Sequence, residues 1–151
     1  METVQRLARS CKHIVGIKEA GGSADRVSQL RQSLGKEFVI LSGDDSLTLP
    51  FMALGARGVI SVASNIIPRQ VARMVSACAA GDFSTALKLH TAYYRVIRDL
   101  FIETNPVPVK AALAMLGQIE EEYRLPLVKM GAANREVLRA SLRSCGVLTY
   151  D

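Results

Sequence analysis

Lys18 is the residue of this chain best suited, by type and position, to covalent chemistry. It ends the apolar run His13-Ile14-Val15-Gly16-Ile17 and is followed at once by Glu19-Ala20-Gly21-Gly22. A β-branched run closed by glycines is typical of a short buried strand, which predicts Lys18 at the carboxyl edge of a sheet. In parallel α/β folds that edge carries the reacting groups, and a lysine that loses its proton there can form a Schiff base with a ketone. A lysine at a strand end more often only extends into water, so both interpretations stay open at this point.

The other residues of reactive type are interpreted as structural. Asp44 and Asp45 precede a helical pattern and are expected to cap a helix rather than to act as an acid–base pair. Lys110 is expected in the first turn of a helix rather than as a second nucleophile. The same structural interpretation covers two histidines without carboxylate or cysteine at ligand spacing, and a tyrosine pair within a helical pattern: His13, His90, Tyr93 and Tyr94.

The elements that must position Lys18 alternate between helical and strand patterns. Helices are predicted over residues 2–10, 23–34 and 47–54, and strands over 13–18, 38–41 and 58–62. Gly35 is expected to end the second helix. This alternation predicts parallel βαβ units whose strands are buried on both faces.

After Pro68 the strand patterns stop. Helices are predicted over residues 70–80, 85–101, 109–116 and 133–145, with a linker around Pro126. The carboxyl half is therefore expected to be all helical.

Composition limits the classes of function that are open to the chain. It has 151 residues with 49% hydrophobic residues and a mean hydropathy of +0.18, enough for one ordinary core. The net charge of +5 comes from basic residues interleaved with acidic ones, so no nucleic-acid partner is expected. An apolar stretch long enough for a membrane span is missing from the sequence, as is a signal-peptide core.

Cysteine usage points to a reducing compartment. Cys11, Cys78 and Cys145 are odd in number and far apart, which argues against a disulfide framework and against a zinc site. We therefore expect a soluble cytoplasmic protein, with no metal and no cofactor.

Four motifs together resemble the dihydrodipicolinate synthase family, also called 4-hydroxy-tetrahydrodipicolinate synthase. Their order and spacing match that family over nearly all of the chain. The motifs are Gly16-Ile17-Lys18-Glu19-Ala20, Leu41-Ser42-Gly43-Asp44-Asp45, Gly58-Val59-Ile60-Ser61-Val62 and Asn105-Pro106-Val107-Pro108-Val109-Lys110. Other pyruvate-dependent aldolases share the Schiff-base lysine, but these motif forms are more similar to the synthase.

The resemblance implies a fold, a reaction and a site. The fold is a (β/α)₈ barrel, of which residues 1–67 would be the carboxyl-terminal part, followed by a helical domain over residues 68–151. The reaction condenses pyruvate with aspartate-4-semialdehyde on the route to lysine. Lys18 aligns with the catalytic lysine that forms the imine with pyruvate, and Gly43 and Ile60 align with substrate-binding positions that contact pyruvate through the main chain.

The chain departs from the family in length. A complete barrel takes about 250 residues and eight strands, whereas this sequence supplies three strands, which the resemblance identifies as the sixth to the eighth. The family's proton-relay tyrosine and threonine, and the arginine that receives the second substrate, fall outside the matched portion. We therefore expect a fragment that is inactive by itself, with barrel-facing side chains exposed among Ile14, Val39, Leu41 and Val59.

Functions of other classes remain as alternatives. The fragment could be a noncatalytic interaction module that pairs its open sheet edge with a second copy or with a complementing barrel half. Another pyruvate-dependent aldolase of the same superfamily is a second alternative, and a basic nucleic-acid binder is the weakest.

Overall fold

The computed structural model describes residues 1–149. Three strands and seven α-helices form within that range, and the predicted α/β class is confirmed. In chain order they are α1 (Glu2–Ser10), β1 (Gly16–Glu19), α2 (Ala24–Leu34), β2 (Val39–Ser42), α3 (Thr48–Ala53), β3 (Gly58–Val59), α4 (Pro68–Ala79), α5 (Phe83–Asp99), α6 (Val107–Met115) and α7 (Ala132–Ser144). Short 3₁₀ helices, Asp45–Leu47 and Ala63–Asn65, follow β2 and β3.

The three strands form one parallel sheet in the order β1-β2-β3. Lys18 is paired with Leu41, and Leu41 is paired with Gly58, so all three strands end at the same edge. Gly16 allows β1 and β2 to approach closely, since a Cβ at this position would lie 2.6 Å from the carbonyl oxygen of Val39. Parallel strands that neighbour one another in chain order and are joined by helices form βαβ units, as predicted.

Three details of the predicted strands are wrong. β1 begins at Gly16 rather than His13, which lies in a turn. β3 ends at Val59 rather than Val62, because the backbone of Val62 is already helical and leads into the second 3₁₀ helix. The strands are also not buried on both faces: burial alternates along β2, and Lys18 is exposed in β1. Within the described chain β1 is an edge strand, and the second face of β2 is only half-buried.

Contacts divide the chain into two compact units. Unit 1 comprises residues 1–61 and 73–87, and unit 2 comprises residues 62–72 and those from Lys88 onward. The predicted domain boundary at residue 67, between the barrel portion and the helical domain, stays a prediction.

The core of unit 1 lies between the sheet and its helices. Fully buried apolar side chains come from α2, β2 and α3: Val27, Leu30, Ile40 and Phe51. Gly35 ends α2 in the left-handed region, with φ of 71°, as predicted. Arg31, which the sequence patterns did not single out, donates to the carbonyls of Gly35 (2.6 Å), Phe38 (3.0 Å) and Gly55 (2.6 Å).

Unit 2 contains α6, α7 and most of α5, and α6 packs against α7. Its core includes Val96, Leu100, Ala111, Leu138 and Leu142. From Pro68 to residue 149 the only regular elements are helices, which confirms the prediction for this half. None of the helices formed by residues 1–149 has the length and apolar character that a bilayer span requires.

Candidate active site

Lys18 lies near the end of β1, and the residue after it anchors that end. Because side chains alternate along a strand, Lys18 is exposed while Glu19 is only 2% exposed. The Glu19 carboxylate accepts hydrogen bonds from the Gly21 N–H at 2.8 Å and from Arg26 Nε at 2.7 Å. These bonds tie the strand end to the start of α2 and so fix the backbone that carries Lys18.

A groove of about 500 Å³ is lined by β1, by the residues just before it and by Val39 and Leu41 of β2. Its lining includes Ile14, Val15, Ile17 and Leu41, and the Lys18 side chain borders it. Val15 is 66% exposed and Ile14 is 37% exposed. Of the four apolar side chains expected to be exposed, Ile14 is exposed, whereas Val39, Leu41 and Val59 are half-buried.

Gly43 directly follows β2 and lies against Lys18. Its N–H donates to the carbonyl of Glu19 at 2.7 Å, which continues the ladder between β1 and β2. A Cβ at this position would lie 2.5 Å from Ala20 Cβ and 3.1 Å from Lys18 Cε. The contact with Ala20 requires a residue without a side chain here, and a Cβ would in addition press on the Lys18 side chain.

Ile60 directly follows β3. Its N–H donates to the carbonyl of Ser42 at 2.9 Å, and its side chain is 48% exposed. Lys18, Gly43 and Ile60 thus lie at the carboxyl ends of three adjacent strands in the order in which they occur along the chain. Their catalytic and binding roles stay predictions.

Hydrogen bonds from two serine side chains, which the sequence did not single out, hold the turn between β2 and α3. Ser42 Oγ donates to the Asp44 carbonyl at 2.7 Å, and Ser61 Oγ donates to the buried Asp45 carboxylate. The predicted capping role is confirmed only for Asp44, and only in position. Asp44 lies at the N-cap of the first 3₁₀ helix without a side-chain capping bond, and Asp45 is already inside that helix.

Three other residues of reactive type, Lys110, His90 and Tyr94, lie in unit 2. Lys110 lies in the first turn of α6, as predicted, and its Nζ donates to the carbonyl of Glu122. The ring of His90 contacts that of Tyr94 in a tilted arrangement, with centroids 5.6 Å apart, and burial lowers the pKa of His90. Across residues 1–149 no group of three or more histidine, cysteine, aspartate or glutamate side chains is placed to hold a metal ion.

A second polar cluster lies in unit 2 between α7 and the segment that precedes it. Glu121 accepts from Arg135 at 2.7 Å and from the Tyr123 hydroxyl at 3.1 Å. Burial acts to raise the pKa of Glu121, but the hydrogen bonds from Arg135 and Tyr123, with the charges of Arg135 and Lys129, outweigh it and lower that pKa. Burial first, and then the Glu121 charge, raises the pKa of Tyr123 to about 12.

Comparison with known proteins assigns this arrangement to a family. Residues 1–145 match the model described as the Dihydrodipicolinate synthetase family. The chain belongs to that family. It is 49% identical over 143 residues to the 4-hydroxy-tetrahydrodipicolinate synthase of Aquifex aeolicus, a match that covers 95% of this chain and 49% of the relative. The synthase of Pelobacter propionicus is 48% identical over 146 residues, which is 95% of this chain and 50% of the relative.

Solved structures of the dihydrodipicolinate synthetase family share the fold. The dihydrodipicolinate synthase of Aquifex aeolicus matches with a TM-score of 0.95 and 47% identity over 99% of this chain and 51% of that one. The pyruvate complex of the chloride-inhibited enzyme from Acinetobacter baumannii matches with a TM-score of 0.93 and 37% identity, over 97% and 50%. The chain spans about half the length of these relatives and corresponds to their carboxyl-terminal half, which makes its sheet part of a (β/α)₈ barrel.

Proposed function

We propose that this chain is the carboxyl-terminal portion of a 4-hydroxy-tetrahydrodipicolinate synthase, in which Lys18 forms an imine with pyruvate. The observation that carries the proposal is the contact geometry between Lys18 and Gly43 at the shared carboxyl edge of the sheet, where a Cβ on Gly43 would lie 3.1 Å from Lys18 Cε. Identity of 49% to a synthase of that name, and a pyruvate-bound relative with the same fold, support it.

The chemistry requires an amine at the position of Lys18. The unprotonated Nζ attacks the ketone carbon of pyruvate, and loss of water leaves an imine between nitrogen and carbon. Once protonated, this imine draws electrons from the neighbouring methyl group, so loss of a methyl proton gives an enamine. The enamine carbon then attacks the aldehyde carbon of aspartate-4-semialdehyde and forms the new carbon–carbon bond.

Gly43 and Ile60 serve this reaction through their backbones. At Gly43 the lack of a side chain leaves room both for Lys18 and for a small keto acid. Ile60 presents its main-chain carbonyl at the end of the neighbouring strand, because its N–H already donates to the carbonyl of Ser42. This oxygen can contact pyruvate held at Lys18. The resemblance assigns the proton relay and the recognition of the second substrate to the half of the relatives that this chain does not match.

The proposal is tested on a fusion of the full chain behind the amino-terminal half of the Aquifex aeolicus synthase. Incubation with pyruvate and borohydride should leave a reduced adduct on Lys18, detected by peptide mass spectrometry. Lys18→Arg should abolish it, because a guanidinium stays charged and cannot form the imine. Lys36→Arg, at an exposed lysine outside the site, should leave it intact. An adduct that persists in Lys18→Arg and maps to another residue would show that the nucleophile is misassigned.

The free side of β1 favours a second candidate function, that of an interaction module. Exposed Val15 and Ile14 border an edge strand whose outward backbone groups can accept another strand. The partner is then a second copy of the chain or a complementing barrel half. Size on gel filtration that depends on concentration, without pyruvate trapping, would favour this function.

A reducing compartment such as the cytoplasm fits either function. All three cysteines lie within the described residues, and each is free.

A further inference from the structure

Asp45 lies two residues beyond Gly43 and connects the ends of β2 and β3. Its carboxylate is 2% exposed and accepts a hydrogen bond from Ser61 Oγ, and Ser61 directly follows Ile60. A buried carboxylate is costly without donors, and a hydroxyl-to-carboxylate bond is stronger than a neutral one. The bond therefore links the turn after β2 firmly to the residue after β3.

The backbone on both sides of this bond belongs to the same network. The Ile60 N–H donates to the carbonyl of Ser42 at 2.9 Å, and fully buried Ser42 also donates its hydroxyl to the Asp44 carbonyl. β3 itself is only two residues long, so the strand ladder ends close to Ile60. Beyond that point the Ser61 side chain continues the link between the two strand ends.

We propose that Asp45 is a positioning residue: through Ser61 it holds the main chain of Ile60 beside Gly43 and so sets the affinity of the site for an α-keto acid. The α-keto acid is pyruvate if the proposed function holds, and this inference rests on that function. Asp45 acts on the strand ends and not on the amine. Its loss should weaken pyruvate binding and leave the reaction of Lys18 with bound pyruvate nearly unchanged.

Borohydride trapping on the fusion protein, measured over a range of pyruvate concentrations, separates these two effects. Asp45→Asn and Ser61→Ala should each raise the half-saturating pyruvate concentration about tenfold, the effect of one hydrogen bond to a charged group. The limiting trapping rate should change by less than about twofold, because the barrier to imine formation is not altered. Ser61→Thr, which keeps the hydroxyl, should behave as the parent protein.

Thr48→Val is the matched control. Thr48 is fully buried, and its Oγ1 donates to the Asp45 backbone carbonyl at 2.9 Å, so the substitution removes a bond in the same turn without touching Ser61. An equal rise in half-saturation for Thr48→Val would show that general loosening of the turn is responsible. Such a result, or unchanged half-saturation in Asp45→Asn, would overturn the positioning role.

Hydrogen exchange of the full chain without pyruvate keeps this proposal separate from the proposed function. Asp45→Asn and Ser61→Ala should speed exchange at the Ile60 amide about tenfold, the population change expected from losing one such bond. The Val39 amide, which donates to Val15 at 2.9 Å at the far end of the strand pair, should not change. Absence of any pyruvate adduct on Lys18 in the parent fusion would refute the proposed function and the role in pyruvate affinity. Unchanged exchange at Ile60 would refute the positioning itself.

Discussion

Gly43 constrains the site through the side chain that it lacks. A Cβ would lie 2.5 Å from Ala20 Cβ, closer than carbon atoms pack, and 3.1 Å from Lys18 Cε. The lysine and the backbone after β1 therefore occupy the space in which a side chain at residue 43 would stand. A methyl group at residue 43 should therefore displace Lys18 as well as lower stability.

Gly43→Ala should lower both the stability of unit 1 and the yield of pyruvate adduct on Lys18 in the fusion protein. Overpacking of this kind costs about 1–3 kcal/mol, and displacement of the Lys18 side chain adds a loss of trapping beyond the loss of folded protein. Gly131→Ala is the control, since its Cβ would meet only the carboxylate end of Glu103 at 3.3 Å. Thermal unfolding and adduct yield are measured on the same samples. An unchanged adduct yield in folded Gly43→Ala would contradict the predicted displacement of Lys18.

Site residues that stand in short sequence motifs could be predicted from the sequence. Lys18, Gly43 and Ile60 stand at strand ends that the hydrophobic pattern marks, so their common edge was predictable. Glu19, Arg31 and Asp45 were not recognised in their observed roles. Their partners lie on other elements, such as Arg26 in α2 for Glu19 in β1, or far along the chain, such as Ser61 for Asp45, 16 residues away. Such pairs become visible only when the fold brings them together.

Among the elements, helices were predicted more accurately than strands. α1 has the predicted bounds although no side-chain capping bond forms at its start. α2 ends before the predicted Gly35, because a glycine is a signal of a helix end. The strands are short, and an apolar run such as Gly58 to Val62 does not reveal where pairing stops. The end of β3 is set by the helical backbone at Val62, which local hydrophobicity does not encode.

In unit 2 a buried carboxylate connects α5 to α7. Asp99 is 2% exposed; it accepts from the fully buried Ser141 hydroxyl and pairs with Arg98 at 2.7 Å. This contact joins two helices that are far apart in the sequence. It should matter for stability because the carboxylate is desolvated.

Ser141→Ala should lower the free energy of unfolding by about 1–3 kcal/mol, because it leaves a buried acceptor without its hydroxyl donor. Ser144→Ala is the matched control on the same helix: Ser144 is exposed, and its substitution should cost less than about 0.5 kcal/mol. Urea unfolding followed by circular dichroism measures both. Equal losses for the two variants would mean that the bond to Asp99 contributes little.

The segment before α7 is tied to that helix by the cluster of Glu121, Tyr123 and Arg135. The raised pKa of Tyr123 means that the folded chain keeps the phenol proton to higher pH than the unfolded chain does. The stability that Tyr123 contributes is therefore fully present below pH of about 10, the ordinary tyrosine value. It is lost as the pH rises from there through the folded pKa of about 12.

Tyrosinate absorbance should reveal this shift directly. The difference between the parent titration and that of Tyr123→Phe should place the ionisation of Tyr123 near pH 12. Glu121→Gln should lower the pKa, because it removes a negative charge that opposes ionisation. A difference curve centred at the ordinary value of about 10 would contradict the burial of this hydroxyl.

For the whole molecule, the open edges of the sheet, at β1 and at β3, decide how the chain behaves by itself. The outward backbone groups of β1 have no neighbouring strand within the described residues, and Ile14, Val15 and Ile60 are exposed beside the site. The fold class followed from the alternation of periods along the sequence. The exposure of the barrel-facing side chains did not follow from the sequence. Ile14 is exposed as expected, but Val39, Leu41 and Val59 are half-buried.

The 151-residue chain studied alone should self-associate and should lack synthase activity. A fully exposed aliphatic side chain forgoes roughly 1.5–3 kcal/mol of burial, and Ile14, Val15 and Ile60 are 37%, 66% and 48% exposed. The burial that they forgo is therefore appreciable beside the total stability of a domain, about 5–15 kcal/mol. Without the proton relay and carboxylate recognition that the resemblance assigns elsewhere, Lys18 alone cannot support turnover. Light scattering at several concentrations and a coupled assay with pyruvate and aspartate-4-semialdehyde measure the two properties.

A pair of lysine substitutions locates the surface responsible. Val15→Lys places a charge beside the free strand and should reduce association, because charges at a sheet edge oppose further pairing. Leu125→Lys changes a side chain that is 86% exposed but lies in unit 2, and it should leave edge-dependent association unchanged. Equal effects of the two variants would point to general apolar adhesion and not to the β1 edge. A stable monomer that turns over both substrates at ordinary enzyme rates would refute the prediction outright, since three strands would then suffice for a working site.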